Sequence, residues 1–277
     1  MGYQGLSGLT QTQLDFWVHQ AKSQAGGGRL PDYIPLLAKA DPTWVAVQVR
    51  QNDGSVQQAG DAHLPFALMS VVKPLLLLFL LEHLGLAVVF NLVGMEPSDQ
   101  SFHSLTQLRL DRGFPRNPMI NSGAIALASK LPGNDGAART EALRQWLNRQ
   151  SGSRLVLDEP MLASVRSLSN ETNRAIAEIL VASGVMTEIA TTLDTYNQIC
   201  CLSGTVADLA KLGAMLAGGR GTIAPQNLQA VNALMLTCGL YEASGRYAVR
   251  IGLPIKSGVS GAMLAVVPGQ GAIACYS

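Results

Sequence analysis

The sequence predicts an α+β fold: an antiparallel sheet built from both chain ends, flanking helices, and a helical lobe inserted between the two halves of the sheet. Three observations point there. Strand signals lie before residue 65 and after residue 245, helix signals fill the stretch between, and 48% of the 277 residues are hydrophobic against 14% charged. That composition supplies a sizeable core and excludes a disordered chain. Aromatic residues make up only 5%, so the core is expected to be aliphatic. The length suits one domain, 1–277, with a sheet lobe over about 30–69 and 245–277 and a helical lobe over about 70–244.

Taken in order, the first strand signal is Thr43 to Arg50, where Val45, Val47 and Val49 alternate with smaller or polar neighbours. Asn52-Asp53-Gly54 then supplies turn residues before Ser55 to Ala59, which together read as a β-hairpin. From Ser70 to about Leu240, stretches of Leu, Ala and Met end at glycines, as helices do. The most apolar piece, Leu75 to Leu81, lies within Pro74 to Val93, where Glu82 and His83 interrupt it and Gly85 breaks it. A membrane-spanning helix needs about 20 predominantly apolar residues in a row, so this one is expected to be a buried helix. Thr205 to Ala217 carries its own boundaries: Thr205 as cap, Asp208 three residues on, and Gly218-Gly219 as the stop. From Ile251 onward β character returns, as KSGVSGAMLAVV, the turn PGQG, and AIACYS.

Charge narrows the function. The formal net charge is +1, from 20 basic and 19 acidic residues, too even for affinity built on phosphate neutralisation. Neither nucleic acid nor a membrane is expected as a partner. The first twenty residues have no basic region followed by an apolar run, and a cytoplasmic location is expected. Cys200, Cys201, Cys238 and Cys275 show no CxxC spacing and are expected as reduced thiols. His19, His63, His83 and His103 are scattered singly, without the spacing of a metal site, so no metal is expected.

The sharpest local feature is Ser70-Val71-Val72-Lys73, followed at once by Pro74 and the leucine run. Three residues along a helix return to the same face, which lets the Ser70 hydroxyl and the Lys73 amine approach each other. An apolar helix behind the lysine lowers its pKa by desolvation and equips it as a general base for a serine nucleophile. Far along the chain, Lys256-Ser257-Gly258 opens a strand-like run. SxxK with a distal K-[ST]-G resembles serine β-lactamases and penicillin-binding proteins. There the basic residue of the second motif holds a substrate carboxylate or tunes the site, and a backbone N–H just beyond it joins an oxyanion hole.

Longer segments make the resemblance specific. PDYIPLLA from Pro31, SVVKP from Ser70, VGMEPSDQSF from Val93, PRNPMINSGAIA from Pro115, NRAIAEIL from Asn173, DTYNQICCLSGTVADLA from Asp194 and the stretch from Met235 to Gly269 occur in one order across nearly the whole chain. Together they resemble the serine-dependent glutaminases. That resemblance implies a β-lactamase-like fold, hydrolysis of L-glutamine to L-glutamate and ammonia, no cofactor, and a homodimer or homotetramer. It also implies roles. Ser70 matches the nucleophile, Lys73 its activating partner, and Tyr241 the group that relays a proton to the leaving ammonia. Tyr33, Asn121, Asn173 and Tyr196 match ligand contacts, and Val259 matches the residue whose N–H helps hold the oxyanion.

Two departures touch the amine-binding end. Where that family carries Ser-Glu, whose carboxylate pairs with the substrate ammonium, this chain reads Ala163-Ser164-Val165-Arg166, and the nearest acid, Glu171, is out of register. Met69 stands where Gln or Glu is common. These changes raise two further expectations: a same-fold serine amidohydrolase with another amide or a β-lactam as substrate, or a weakened, ligand-binding member. A third departure is that family members continue past the final strand, whereas this sequence ends at Ser277.

Overall fold

The computed structural model describes residues 5–219 and 222–277. In chain order the elements are α1 (Gln11–Gln24), β1 (Ala46–Gln51), β2 (Val56–Gly60), β3 (Phe66–Ala67), α2 (Val72–Phe90), α3 (Leu105–Leu110), α4 (Asn121–Ala128) and α5 (Gly136–Ser151). Then come β4 (Val156–Leu157), α6 (Glu159–Arg166), α7 (Glu171–Ala182), α8 (Ile189–Cys200), β5 (Leu202–Gly204), α9 (Val206–Leu216), α10 (Pro225–Cys238) and α11 (Ser244–Ile251). The strands β6 (Ile255–Ser257), β7 (Ala262–Val267) and β8 (Gly271–Tyr276) close the chain.

The two chain ends share one antiparallel sheet in the order β2-β1-β8-β7-β6. The join is β1 against β8, with Ala46 opposite Tyr276 and Gln51 opposite Gly271. Strand parity sends β1 residues to two different cores. Val45 and Val49 pack with Leu14 and Val18 of α1, and Ala46 belongs to the main core. On that second face α9 lies close to the sheet at Gly213, where a Cβ would sit 2.4 Å from the Ala272 methyl. The capping box expected at the start of α9 is present, with Asp208 N–H donating to Thr205 Oγ1 and Thr205 N–H to Asp208 Oδ2.

The leucine run forms the first half of α2, and Leu75 through Leu81 are each at most 2% exposed. Gly85 breaks the helix path there with φ +80°, ψ 161°, and around and beyond it Leu84, Leu86 and Val88 are exposed. Glu82 has a task of its own: its Oε1 accepts from Ala224 N–H at 3.1 Å and from Asn227 Nδ2 at 2.7 Å. It thereby caps α10, whose own N-cap residue, Ala224, has no side chain able to do so.

Two findings differ from the sequence-based expectation. Residue 251 still belongs to α11, and strand structure resumes at Ile255. A second small sheet, β3-β5-β4, joins β3, just ahead of the stretch read as helical, to β5 and β4 inside it. Its strands are two or three residues long, too short for a period-two pattern to register. It matters for the site, because β3 pairs with β5 through Phe66–Gly204 and Ala67–Ser203, and Leu68 N–H donates to Leu202 O, fixing the chain just before Ser70.

Candidate active site

Ser70 stands in a 3₁₀ turn between β3 and α2. Met69 has φ +46°, a left-handed backbone that is costly for a side chain with a Cβ, and it is held there by full burial against the core. From the other side Gly258 abuts this turn, where a Cβ would come within 2.7 Å of Leu68 O, so only glycine lets the end of β6 lie this close. The N–H groups of Ser70 and of Val259, in the turn after β6, donate to no backbone acceptor among the described residues.

Lys73 lies one turn further along, wholly buried. Its Nζ donates to Met119 O at 3.1 Å and to Asn121 Oδ1 at 2.8 Å. Desolvation lowers its pKa from 10.5 to about 7, a fall that the thiol of Cys200 opposes. Neither hydrogen bond goes to Ser70, which was the partner expected from the helix spacing. Tyr241 lines the same cavity as the serine: burial pushes its pKa up to about 12, and the nearby Ser70 hydroxyl works against that rise. Tyr241 also has a left-handed backbone, φ +56°, at the turn before α11.

Asn121 is the hub of the polar network. Its Oδ1 accepts from Lys73 and from Tyr196 OH at 3.1 Å, and its Nδ2 donates to Asn173 Oδ1 at 3.0 Å. Burial raises the pKa of Tyr196 well above 10 and that of Cys200 to about 11. Tyr33, Ser70, Asn121, Asn173, Tyr196, Tyr241 and Val259, all picked out from the sequence, line one cavity of about 740 Å³. Lys73 sits behind its wall.

Lys256 corrects an expectation. It is fully buried, does not line the cavity, and so reaches no substrate carboxylate; its Nζ donates to Ser257 O at 2.8 Å and lies 4.1 Å from the centre of the Tyr241 ring. Of the two roles open to it, tuning the site is the one this geometry permits. Desolvation, and then the nearby Lys73, hold its pKa well below 10.5. Sequence reasoning missed Cys200 and Phe102. Cys200 follows Tyr196 by one helical turn on α8, a spacing that puts both on one face. Phe102 packs on Tyr241 with ring centres 5.1 Å apart, a contact between distant segments that no local pattern signals.

Comparison with known proteins agrees with this geometry. A family model described as Glutaminase matches residues 28–277. A glutaminase of Synechocystis is 45% identical over 271 residues, covering 97% of this chain and 83% of the relative. A Vibrio parahaemolyticus glutaminase is 37% identical, covering 91% and 85%. Among solved structures, the probable glutaminase YbaS superposes with a TM-score of 0.89 at 34% identity, covering 97% and 90%. A probable glutaminase from Bacillus subtilis, complexed with 6-diazo-5-oxo-L-norleucine, has a TM-score of 0.86 at 30% identity, covering 100% and 89%. The likeness spans nearly the whole chain and carries the β-lactamase-like fold with it, so this chain belongs to the glutaminase family.

Proposed function

We propose that the protein hydrolyses L-glutamine to L-glutamate and ammonia through an acyl-enzyme on Ser70. The observation that carries this reading is a wholly buried lysine one turn from a serine that lines an open cavity, and that burial lowers the lysine's pKa to about 7. Near neutral pH much of Lys73 is therefore unprotonated and able to accept a proton, which an ordinary lysine cannot do.

Ser70 Oγ attacks the side-chain amide carbon, and its proton passes to Lys73. The carbonyl oxygen gathers negative charge, for which the N–H groups of Ser70 and Val259 are the donors. Tyr241 stays protonated at neutral pH because its pKa is about 12, so it holds a proton to give to the departing nitrogen. The C–N bond breaks, ammonia leaves, and Lys73 returns a proton to the Tyr241 oxygen. Water then attacks the ester, its proton restores Ser70, and glutamate leaves. No step calls on a metal or an organic cofactor. Tyr33, Asn121, Asn173 and Tyr196 contact the amino-acid end of the substrate by side-chain hydrogen bonds. A covalent complex formed when a Bacillus subtilis glutaminase reacts with 6-diazo-5-oxo-L-norleucine supports covalent chemistry in the family.

The same proposal takes the protein as a cytoplasmic homodimer or homotetramer. Four cysteines without disulfide partners support a reducing compartment, and light scattering on the purified protein measures the assembly. The catalytic test is ammonia release from L-glutamine: the native protein is active, and Ser70→Ala loses at least about a thousandfold in kcat. Equal activity in the two would remove Ser70 from the mechanism.

A further inference from the structure

Lys73 serves as a base only when its lone pair, and not one of its hydrogens, is left for the reaction. A neutral amine carries two hydrogens, and each has an acceptor here: Met119 O at 3.1 Å and Asn121 Oδ1 at 2.8 Å. The second acceptor is an oxygen by its other bonds, because it also takes the Tyr196 hydroxyl while the Nδ2 beside it donates to Asn173 Oδ1. The one position left on the Lys73 nitrogen belongs to the lone pair. Both acceptors lie on a single short turn that runs from Asn117 into the start of α4.

The side chain of Asn117 shapes that turn. It is 1% exposed and lies outside the lining of the cavity. Its Oδ1 accepts from Met119 N–H, two residues on, at 3.0 Å, and Pro118 between them restricts the backbone. Its Nδ2 donates to Glu96 O at 2.8 Å, continuing a ladder in which Gly94 N–H donates to Pro115 O and Glu96 N–H to Arg116 O. The far end of the turn is held by Asn121 N–H, which donates to Phe102 O. Among the described residues no backbone N–H donates to Met119 O, so this carbonyl is kept for the lysine. Removing the Asn117 amide strips Met119 N–H and Glu96 O of these partners and frees the turn that carries both acceptors.

We infer that Asn117 is a positioning residue for hydrolysis: from outside the cavity it fixes the Met119 carbonyl, and so holds the Lys73 amine in the rotation that leaves its lone pair free for Ser70. This rests on the hydrolase reading above. With its two acceptors fixed, Lys73 takes up the serine proton at the lone pair and returns it without turning about its Cε–Nζ bond. The segment PRNPMINSGAIA contains Asn117, but the resemblance gives it no role.

The experiment uses Asn117→Ala and Asn117→Ser, the latter restoring an oxygen able to accept from the N–H two residues on. A crystal structure of Asn117→Ala is expected to show Met119 O out of hydrogen-bond reach of Lys73 Nζ, and a contact kept at 3.1 Å overturns the inference. Ammonia release from L-glutamine by Asn117→Ala is expected to fall about tenfold to a hundredfold in kcat with KM within about twofold of native, and Asn117→Ser is expected to exceed the alanine variant at least about threefold in kcat. Glu82→Ala, which also strips N–H groups of a side-chain partner but stands away from the cavity, keeps the native kcat. An unchanged kcat, a loss carried by KM alone, or equal kcat in the serine and alanine variants overturns the inference. If the alanine variant does not fold, Asn117→Ser is read against the native protein: kcat at least about threefold lower at unchanged KM supports the inference, and native kcat overturns it. If the native protein releases no ammonia from L-glutamine, the hydrolase reading fails, and the placing of Lys73 by Asn117 stands or falls on the crystal structure alone.

Discussion

Replacing Lys73 with methionine should abolish amide hydrolysis and make the protein more stable, by an amount that depends on pH. The lysine is wholly buried, and its pKa falls from 10.5 to about 7 on folding. Between those two values the unfolded chain binds a proton that the folded chain does not, so stability rises with pH across that window and is lost as pH falls toward 7. At 1.36 kcal/mol per unit, burying this amine disfavours folding by about 5 kcal/mol near pH 6 and about 2 kcal/mol near pH 9. Methionine fits a similar volume and removes that term. Met119 O loses its donor, at about 1 kcal/mol independent of pH, while Asn121 Oδ1 keeps the Tyr196 hydroxyl. The variant should therefore exceed the native protein by about 4 kcal/mol near pH 6 and about 1 kcal/mol near pH 9, read from urea unfolding. A gap that is the same at both pH values would refute the claim that this lysine is held neutral by burial, and with it the choice of base.

Two further outcomes follow from the same geometry. Tyr241→Phe should lower kcat by about a hundredfold to a thousandfold with little change in KM, because the proton for the leaving nitrogen is lost while the cavity keeps its shape. Its kcat/KM should still rise through about pH 7 as Lys73 loses its proton, and disappearance of that limb would assign the base to the tyrosine. Glu82→Ala should cost about 1–2 kcal/mol in unfolding free energy with kcat unchanged, because it strips the N-terminus of α10 of the cap that Ala224 cannot supply. A cost near zero would show that water replaces the cap.

Much of this architecture was legible in local patterns. The hairpin of β1 and β2, the buried leucine helix and the capping box of α9 each follow from residues within a few positions of one another, where periodicity and turn chemistry act. That Ser70, Tyr241, Asn121 and Asn173 would be candidates for one site was also legible, because they sit in motifs long enough to carry a resemblance, and they line one cavity. The small sheet of β3, β4 and β5 was not, since its pairing is set by strands far apart in the chain. Nor was the true place of Lys256, which the motif allows to reach a substrate and the fold turns behind the Tyr241 ring.

By itself, then, the amino-acid order determined which residues could do the chemistry and which stretches would fold as strands or helices, because both depend on side-chain type and short spacing. Only the tertiary structure decided that β1 joins β8, that Lys73 bonds Asn121 rather than Ser70, and that no carboxylate among the described residues lines the cavity. Those outcomes depend on which surfaces are buried against which. Place in the fold also separates two wholly buried lysines: Lys73 lies one turn from the serine, and Lys256 lies 4.1 Å from the centre of the Tyr241 ring.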